Sequence, residues 1–245
     1  MKVVDPLTLR AARPKQGIIF AASQLVGTRE RQEDYFINFN DECFVVADGL
    51  GGLPHGEVAA KFAAETAVWG YKLIRQRRVY WLDKKLLLQR IFRSTNIALW
   101  QKRRETGFTE GMGTTLEVLL VGERNFWLGH VGDSSAWFLH KGKFAKLTHD
   151  DTDSDGHLTK VIGGMRYGLT PQCVCGRFVP GDAILLLTDG VTNYMPSPKI
   201  FKIIEKAGTS SEGLTESIIG LFKEAEAGGS TDNMTACIVK RVATT

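Results

Sequence analysis

The feature that most constrains this chain is a short apolar run that ends in aspartate, a pattern that occurs three times. Asp48, Asp133 and Asp189 each close such a run, and Asp232 lies just before a fourth one. Runs of roughly four to eight β-branched or apolar residues bounded by Gly, Asp or Asn are typical of buried strands. A single Asp-Gly pair after a strand would indicate only a turn. Four aspartates at strand ends instead predict carboxylates that converge at one end of a sheet structure.

The order of the secondary-structure signals indicates the fold class. Strand-like runs cover residues 17–23, 43–48, 114–121, 125–131, 136–140, 183–188 and 234–240. Apolar residues with helical spacing cover residues 56 to about 76 and 83 to about 105, and a second helical pair is predicted near 198–206 and 212–226. Strands that are grouped, rather than alternating with helices, argue against a parallel βαβ sheet. We therefore predict an α+β fold: a four-layer α-β-β-α sandwich in which two mostly antiparallel sheets are flanked by paired helices.

Length and composition fit one globular domain. The 245 residues are 43% apolar and 24% charged, with a formal net charge of +4, and a chain of this length can bury a substantial core. We predict a single domain over residues 17–241, preceded by a tail or edge segment over residues 1–16. The first residues lack the apolar region of a secretory signal, and no run approaches a membrane span. The expected location is the cytoplasm, where cysteines stay reduced.

Convergent carboxylates at the end of a sandwich need a compensating charge. Like charges that lie close together repel strongly, and oxygen-only ligand sets suit Mg²⁺ or Mn²⁺ rather than zinc. Two such ions about 3.5–4 Å apart lower the pKa of a shared water and clamp the oxygens of an in-line displacement. This chemistry suits phosphoester hydrolysis, which also needs a cation for the remaining phosphate oxygens. Arg29 and Arg31, beside Glu33 and Asp34, are the candidates.

A series of motifs follows in one order along nearly the whole chain. They are Arg29 with Glu33 and Asp34, residues 47–52 with 56–57, residues 113–115, 131–134, 147–150, 188–191 and 231–235. Each motif alone is weak evidence, whereas the ordered set resembles the metal-dependent protein phosphatase family of the 2C type, in its compact bacterial form. The resemblance implies the helix-flanked β-sandwich predicted above and the hydrolysis of phosphoserine and phosphothreonine in proteins.

The resemblance also implies a role for each matching metal ligand. Asp48 would bridge two Mn²⁺ or Mg²⁺ ions, and the Gly49 carbonyl would complete the first site. Asp189 and Asp232 would hold the second ion. Asp133 would form a weaker third site together with Asp189, as in bacterial relatives.

Further implied roles concern the outer acids and the phosphate. Glu33 and Asp34 would act on the metals mainly through water, and Arg29 would grip the phosphate of the substrate. The nucleophile would be the hydroxide held between the two ions, without a phosphoenzyme intermediate. Asp48, Asp189 and Arg29 are therefore the predicted catalytic residues.

The loop after Asp48 departs from the family pattern at the position of the catalytic acid. Many members carry a histidine there as a candidate general acid, whereas Leu50 or Leu53 occupies the place in this chain. His55 follows shortly afterwards, either as a proton donor or as an ordinary surface side chain, and a water molecule could serve instead. Ser135 also replaces the arginine that usually follows the Gly-Asp-Ser motif.

Residues 149–157 stand where bacterial relatives insert a mobile flap. The simplest interpretation of this acidic stretch is a solvated loop. The functional alternative is a shortened flap that leaves the site open and repels acidic flanks of a phosphopeptide. That alternative predicts a preference for substrates with basic neighbours.

Other functions remain open at this point. The chain could be a catalytically weak binding or regulatory module with the same fold, or could act on a small phosphoester. Basic residues interleaved with aromatics at 75–81 and 102–104 could bind nucleic acid, but helix ends and solvated faces favour such residues anyway, so we expect no nucleic-acid partner. The expected substrate is a phosphoprotein, either a serine/threonine kinase or its target, and no membrane partner is expected. A monomer is the default.

Overall fold

The computed structural model describes residues 17–75, 83–108 and 111–243, so the predicted tail over residues 1–16 lies outside the described residues. The strands are β1 (Ile18–Leu25), β2 (Asp34–Phe39), β3 (Cys43–Asp48), β4 (Leu116–Val121), β5 (Asn125–Val131), β6 (Ser135–His140), β7 (Lys143–Lys146), β8 (Gln172–Arg177), β9 (Ala183–Leu187) and β10 (Met234–Arg241). The helices are α1 (Gly56–Arg75), α2 (Lys84–Lys102), α3 (Asp189–Thr192), α4 (Ser197–Glu205) and α5 (Ser211–Ala227).

The strands form two five-stranded sheets in which every described pairing is antiparallel. One sheet has the order β1-β10-β9-β6-β7 and the other the order β2-β3-β4-β5-β8. Strand β10 pairs with β1, so that Arg241 lies opposite Ile18. The beginning and the end of the predicted domain over residues 17–241 are thus neighbours in one sheet. The domain boundaries themselves stay a prediction.

Three clusters of buried apolar residues separate four layers. The middle cluster lies between the two sheets and includes Phe20 and Phe44. A second cluster joins α1 and α2 to the sheet that contains β3, and a third joins α4 and α5 to the sheet that contains β9. The predicted α+β class and the α-β-β-α sandwich are therefore confirmed. Among the described helices, none combines the length and the apolarity that a membrane crossing requires.

The predicted elements differ from the structure mainly at the edges of the sheets. Two predicted strands coincide with β3 and β5, and the four predicted helices agree with α1, α2, α4 and α5 to within three residues. Strands β2, β7 and β8 are missed by the sequence pattern. All three are edge strands, and edge strands carry polar side chains that weaken the alternation of apolar residues. Strand β7, for example, reads Lys-Phe-Ala-Lys.

Small side chains allow α1 to lie close to its sheet. Its fully buried face consists largely of alanines, namely Ala59, Ala60, Ala63, Ala64 and Ala67. The first residue of the helix, Gly56, contacts the acidic loop so closely that an added Cβ atom would lie 2.9 Å from Glu33 Cδ. The packing of α1 thus helps to place one of the predicted site residues.

We expect the substitution Ala63→Leu to lower the free energy of unfolding by about 1–3 kcal/mol, because a well-packed core resists added methylene groups. Chemical denaturation measured by circular dichroism would test this. The matched control is Lys61→Leu, which adds a leucine on the exposed face of the same helix and should change stability by less than about 0.5 kcal/mol. Equal stability of the two variants would contradict the close helix–sheet packing.

Candidate active site and metal centre

A cleft of about 220 Å³ lies at the end of the sandwich where β3, β5 and β9 end and β10 begins. Its described lining residues are Arg29, Glu33, Asp48, Gly49, Leu50, Gly51, Thr115, Asp133, Leu158, Asp189, Asp232 and Asn233. The structure therefore brings together the four aspartates at strand ends, the Gly49 backbone, Glu33 and Arg29. Asp34 and His55 are the two predicted site residues outside this lining.

The backbone of Asp48 is held by two threonines just before β4. The Thr115 amide and the Thr114 hydroxyl donate to the Asp48 carbonyl at 2.8 and 2.7 Å, and the Asp48 amide donates to Thr115 Oγ1 at 3.0 Å. The next residue must be glycine, because a Cβ atom on Gly49 would lie 2.3 Å from the Gly56 carbonyl oxygen. Steric and hydrogen-bond constraints thus fix the predicted bridging aspartate and the carbonyl beside it.

The carboxylates of the cleft raise one another's pKa. Burial raises the pKa of Asp48 well above its usual range, and the charges of Asp34, Asp189 and Asp133 add to the effect. Burial and Asp189 raise the pKa of Asp133 to about 6, and burial and Asp232 raise that of Asp189. Clustered carboxylates of this kind are stabilised by a bound cation. Because every donor is oxygen, the residues present fit Mg²⁺ or Mn²⁺.

Asp34 lies beneath the cleft rather than in its wall. It is directly opposite Asp48 in the β2–β3 pairing and is only 3% exposed. Its Oδ2 accepts hydrogen bonds from the Thr188 hydroxyl at 2.9 Å and the Thr235 hydroxyl at 2.7 Å. Burial raises its pKa to about 7, against the effect of these hydrogen bonds. The predicted contact of Asp34 with a metal through water stays a prediction, whereas its position opposite Asp48 is a feature of the structure.

Arg29 and Asp232 form an ion pair across the mouth of the cleft. The distance from Arg29 Nη2 to Asp232 Oδ2 is 2.8 Å, and the Arg29 side chain is 51% exposed. The backbone amide of Asn233 also donates to Asp232 Oδ1 at 2.8 Å. The predicted phosphate-binding arginine is thus already beside a predicted metal ligand, with much of its surface open to solvent.

Asn233 is a site residue to which the sequence analysis assigned no role. Its side-chain amide donates to the Val26 carbonyl at 2.8 Å and to the Arg31 carbonyl at 2.9 Å, while its Oδ1 accepts from the Glu33 amide at 2.7 Å. One side chain from just before β10 therefore shapes the loop that carries Arg29. Its partners are about two hundred residues away in sequence, so no local signal could have indicated this role.

His55 does not line the cleft. Its ring packs edge-on against Phe108 with 5.0 Å between the ring centroids, and its backbone adopts a left-handed φ of 68°. It lines a neighbouring cavity of about 400 Å³ that shares Arg29, Glu33 and Asn233 with the cleft. The prediction that His55 donates a proton to the leaving group stays a prediction.

The acidic stretch after β7 is less solvated than expected. Asp151 is only 6% exposed, and its carboxylate pairs with Lys160 at 2.6 Å. Asp150 pairs with Lys146, also at 2.6 Å. The expectation of a solvated loop is therefore wrong for Asp151, because the chain folds this residue against the turn before Asp133. Asp153 and Asp155 do remain exposed.

The basic clusters at the helix ends have partners within the protein. Arg75 pairs with Glu42 at 3.1 Å, and Arg103 donates to the carbonyl of Gly163 at 2.8 Å. The Arg104 guanidinium lies 4.7 Å from the ring centroid of Trp100. These contacts hold the ends of α1 and α2 in place. Residues 76–81 of the first cluster lie outside the described residues.

Fold and site together define a class: a helix-flanked, antiparallel β-sandwich with an oxygen-only candidate centre for divalent ions beside an exposed arginine. Residues 28–218 match the family described as "Protein phosphatase 2C". The chain therefore belongs to the protein phosphatase 2C family, as the motif series indicated.

Individual relatives cover most of the chain. The serine/threonine phosphatase stp of Listeria monocytogenes serotype 4b (strain F2365) is 27% identical over 225 residues, which span 82% of this chain and 85% of that protein. Protein phosphatase PhpP of Streptococcus pneumoniae serotype 2 (strain D39) is 25% identical over 245 residues, or 86% and 92% of the two chains. The catalytic domain of the serine/threonine protein phosphatase PstP, solved with two manganese ions, superimposes with a TM-score of 0.75 at 24% identity and covers 92% and 99%.

We expect Asp48→Asn to stabilise the protein in EDTA and to remove its stabilisation by Mn²⁺. Because the pKa of Asp48 is higher in the folded than in the unfolded protein, the wild-type carboxyl costs stability as pH rises above its unfolded value. The melting temperature of the variant in EDTA should therefore exceed that of the wild type more at pH 7.5 than at pH 5, by about 2–4 °C for each kcal/mol relieved.

Thermal unfolding followed with and without Mn²⁺ measures both effects. Asp182→Asn serves as the control, because that buried aspartate pairs with His140 at the opposite end of β9. A lower melting temperature of Asp48→Asn in EDTA at pH 7.5 would contradict the repulsion argument.

Proposed function

We propose that this chain is a metal-dependent protein serine/threonine phosphatase that hydrolyses phosphoserine and phosphothreonine in proteins. The observation that carries the proposal is the single cleft lined by Asp48, Asp133, Asp189, Asp232 and Arg29. Family membership supports it, as do the names of the relatives, which are serine/threonine phosphatases. A pure binding module of the same fold would not need all of these carboxylates.

The proposed ligand set is the one that the motif resemblance implies, and all of its members line the cleft. Asp48 would contact both ions, with the Gly49 carbonyl on the first, and Asp189 and Asp232 would hold the second. Asp133 would hold a third, weaker ion. When bound, two such ions supply a water of lowered pKa and a positive field for the phosphoryl oxygens. The manganese pair in the PstP structure supports Mn²⁺ or Mg²⁺ as the ions.

Arg29 would orient the phosphate of the substrate. Guanidinium groups bind phosphate oxygens through bidentate hydrogen bonds, a geometry that can orient the phosphate for an in-line displacement. In the present structure Arg29 contacts Asp232, which would instead be a metal ligand in the active enzyme. We infer that Arg29 exchanges Asp232 for the substrate phosphate, a movement that its 51% exposed side chain permits.

The proton for the departing serine or threonine oxygen has two candidate sources. His55 would have to leave Phe108 and turn toward the cleft, since it lines the neighbouring cavity. A water molecule in the cleft would need no such movement. A pH–rate profile of His55→Gln that matches the wild type would indicate the water.

The decisive test is hydrolysis of p-nitrophenyl phosphate and of a phosphothreonine peptide with Mn²⁺. We expect turnover that EDTA abolishes and that Asp48→Ala or Asp189→Ala lowers at least about 100-fold, because each substitution removes a ligand of the ions that activate water. Asp182→Ala is the control for loss of a buried aspartate away from the cleft. Folded wild-type protein without turnover under any divalent metal would instead favour the binding module.

The natural substrate is proposed to be a phosphorylated serine/threonine kinase or the target of such a kinase. The chain would act on it as a monomer in the cytoplasm.

Flanking charge should influence the choice of substrate. The hairpin closed by the Thr152–Leu158 bridge places the exposed Asp153 and Asp155 beside Leu158, which lines the cleft. We expect phosphothreonine peptides with basic flanks to show a several-fold higher kcat/KM than acidic ones at low salt, with a smaller ratio at high salt. Asp155→Asn should reduce the ratio. Equal rates for the two peptides in the wild type would refute the preference.

A further inference from the structure

Asp151 contacts the backbone of Gly132, the residue before the candidate metal ligand Asp133. The Gly132 amide donates to Asp151 Oδ2 at 3.2 Å, and the Asp151 amide donates to the Gly132 carbonyl at 2.8 Å. Asp151 is nearly buried. This reciprocal pair satisfies both backbone polar groups of one turn residue.

The Gly132 turn adopts a conformation that side-chain-bearing residues avoid. Its φ is +113°, and an added Cβ atom would lie 2.6 Å from Thr115 Cβ. The Gly132 carbonyl also contacts His130 Nε2 at 3.0 Å, and His130 Nδ1 contacts Glu117 at 3.2 Å. His130 and Glu117 are fully buried. The turn is therefore held directly by Asp151 and His130, and His130 is held in turn by Glu117.

The other side of Asp151 contacts the wall of the cleft. Lys160 Nζ donates to Asp151 Oδ1 at 2.6 Å, and the Thr159 amide and hydroxyl both donate to the Asp151 carbonyl, at 2.7 and 2.9 Å. Leu158, the residue before Thr159, lines the cleft. Asp151 thus connects the Gly132 turn to the segment that forms one side of the candidate site.

Asp133 needs such support because its neighbours repel it. The charge of Asp189 and the burial of Asp133 both disfavour an ionised Asp133 carboxylate. A carboxylate on an unsupported turn would move toward solvent, away from Asp189, and the geometry of an ion between the two would be lost. Groups that orient metal ligands typically contribute 10- to 100-fold, as an order of magnitude, to metal affinity.

We propose that Asp151 is a positioning residue that holds the Gly132 turn so that Asp133 can bind the third, weaker divalent ion. Lys160 orients the Asp151 carboxylate for this contact. The inference rests on the proposed function, since it assumes that Asp133 is a ligand. Asp151 is not among the described residues that line the cleft, so its effect is exerted through the backbone of Gly132.

The test is calorimetric titration of the metal-free protein with Mn²⁺ alone. We expect Asp151→Ala to weaken the weakest resolved Mn²⁺ site by roughly 10- to 100-fold and to change the tighter sites by less than about twofold. The matched control is Asp182→Ala, because Asp182 is also a buried aspartate that accepts from a backbone amide, that of Val179 at 2.8 Å. That control should lower the melting temperature and leave every Mn²⁺ affinity unchanged.

A double-mutant cycle with Asp133→Asn separates positioning from general destabilisation. If Asp151 acts through Asp133, adding Asp151→Ala to Asp133→Asn should produce no further loss of Mn²⁺ affinity. If Asp151→Ala does not fold, Asp151→Ser is used instead. The serine hydroxyl ends one bond short of the position of the aspartate carboxylate oxygens, so the contact with the Gly132 amide is still removed.

Four outcomes would overturn the inference. They are unchanged weak-site affinity in the folded Asp151 variant, an equal loss in the Asp182 control, an unchanged isotherm for Asp133→Asn, and a further loss of affinity when Asp151→Ala is added to Asp133→Asn. In each of these cases the phosphatase activity of the wild type with Mn²⁺ would still stand. Failure of the proposed function is distinguishable, because it would appear as a wild-type protein that neither binds Mn²⁺ nor hydrolyses phosphoesters.

Discussion

Repulsion among the aspartates of the cleft is the constraint on which the rest of this structure depends. Asp48, Asp133 and Asp189 reach the same small space from three strand ends, and each has a raised pKa because of its burial and the charge of at least one neighbouring aspartate. An arrangement of this kind lowers the stability of the metal-free fold. It can persist only because the two packed sheets fix the positions of the strand ends more strongly than the charges drive them apart. The resulting negative field is what a divalent cation requires.

Neutral hydrogen-bond donors hold these acids without cancelling their charge. Threonine hydroxyls contact the Asp34 carboxylate and the Asp48 carbonyl, and the Asn233 side chain holds the loop around Glu33. A lysine at any of these positions would compensate the negative charge within the protein and reduce the affinity for a metal ion. The ion pairs described near the cleft lie at its mouth, as for Arg29 with Asp232, or behind its wall, as for Lys160 with Asp151. Compensation of the negative charge in the cleft is therefore left to a divalent cation when one binds.

The sequence predicted the parts of the molecule that have a local signal. Central strands and helices are marked by apolar periodicity, and the metal-ligand candidates by aspartates at strand ends, so the sandwich and the lining of the cleft could be derived. Edge strands such as β7 lack that periodicity, since one of their sides faces solvent. The roles of Asn233 and Asp151 depend on contacts with distant residues, and nothing in the residues around them indicates their partners. For Asp151 the local signal was misleading, because an acidic stretch normally indicates exposure.

The segment after β7 is part of what a substrate would contact at the cleft. Residues 149–160 are tied to the body of the protein by the Asp151 contacts and by the Thr152–Leu158 bridge, so this side of the cleft is a fixed wall. The neighbouring cavity presents Arg31, Leu53 and His55 and shares Arg29 with the cleft. A phosphorylated chain bound at the cleft would therefore have an acidic hairpin and a mixed basic and apolar cavity as its neighbouring surfaces. If Arg29 and the carboxylates bind the phosphate as proposed, discrimination among phosphorylated substrates must come from these two surfaces, because the phosphate is common to all of them.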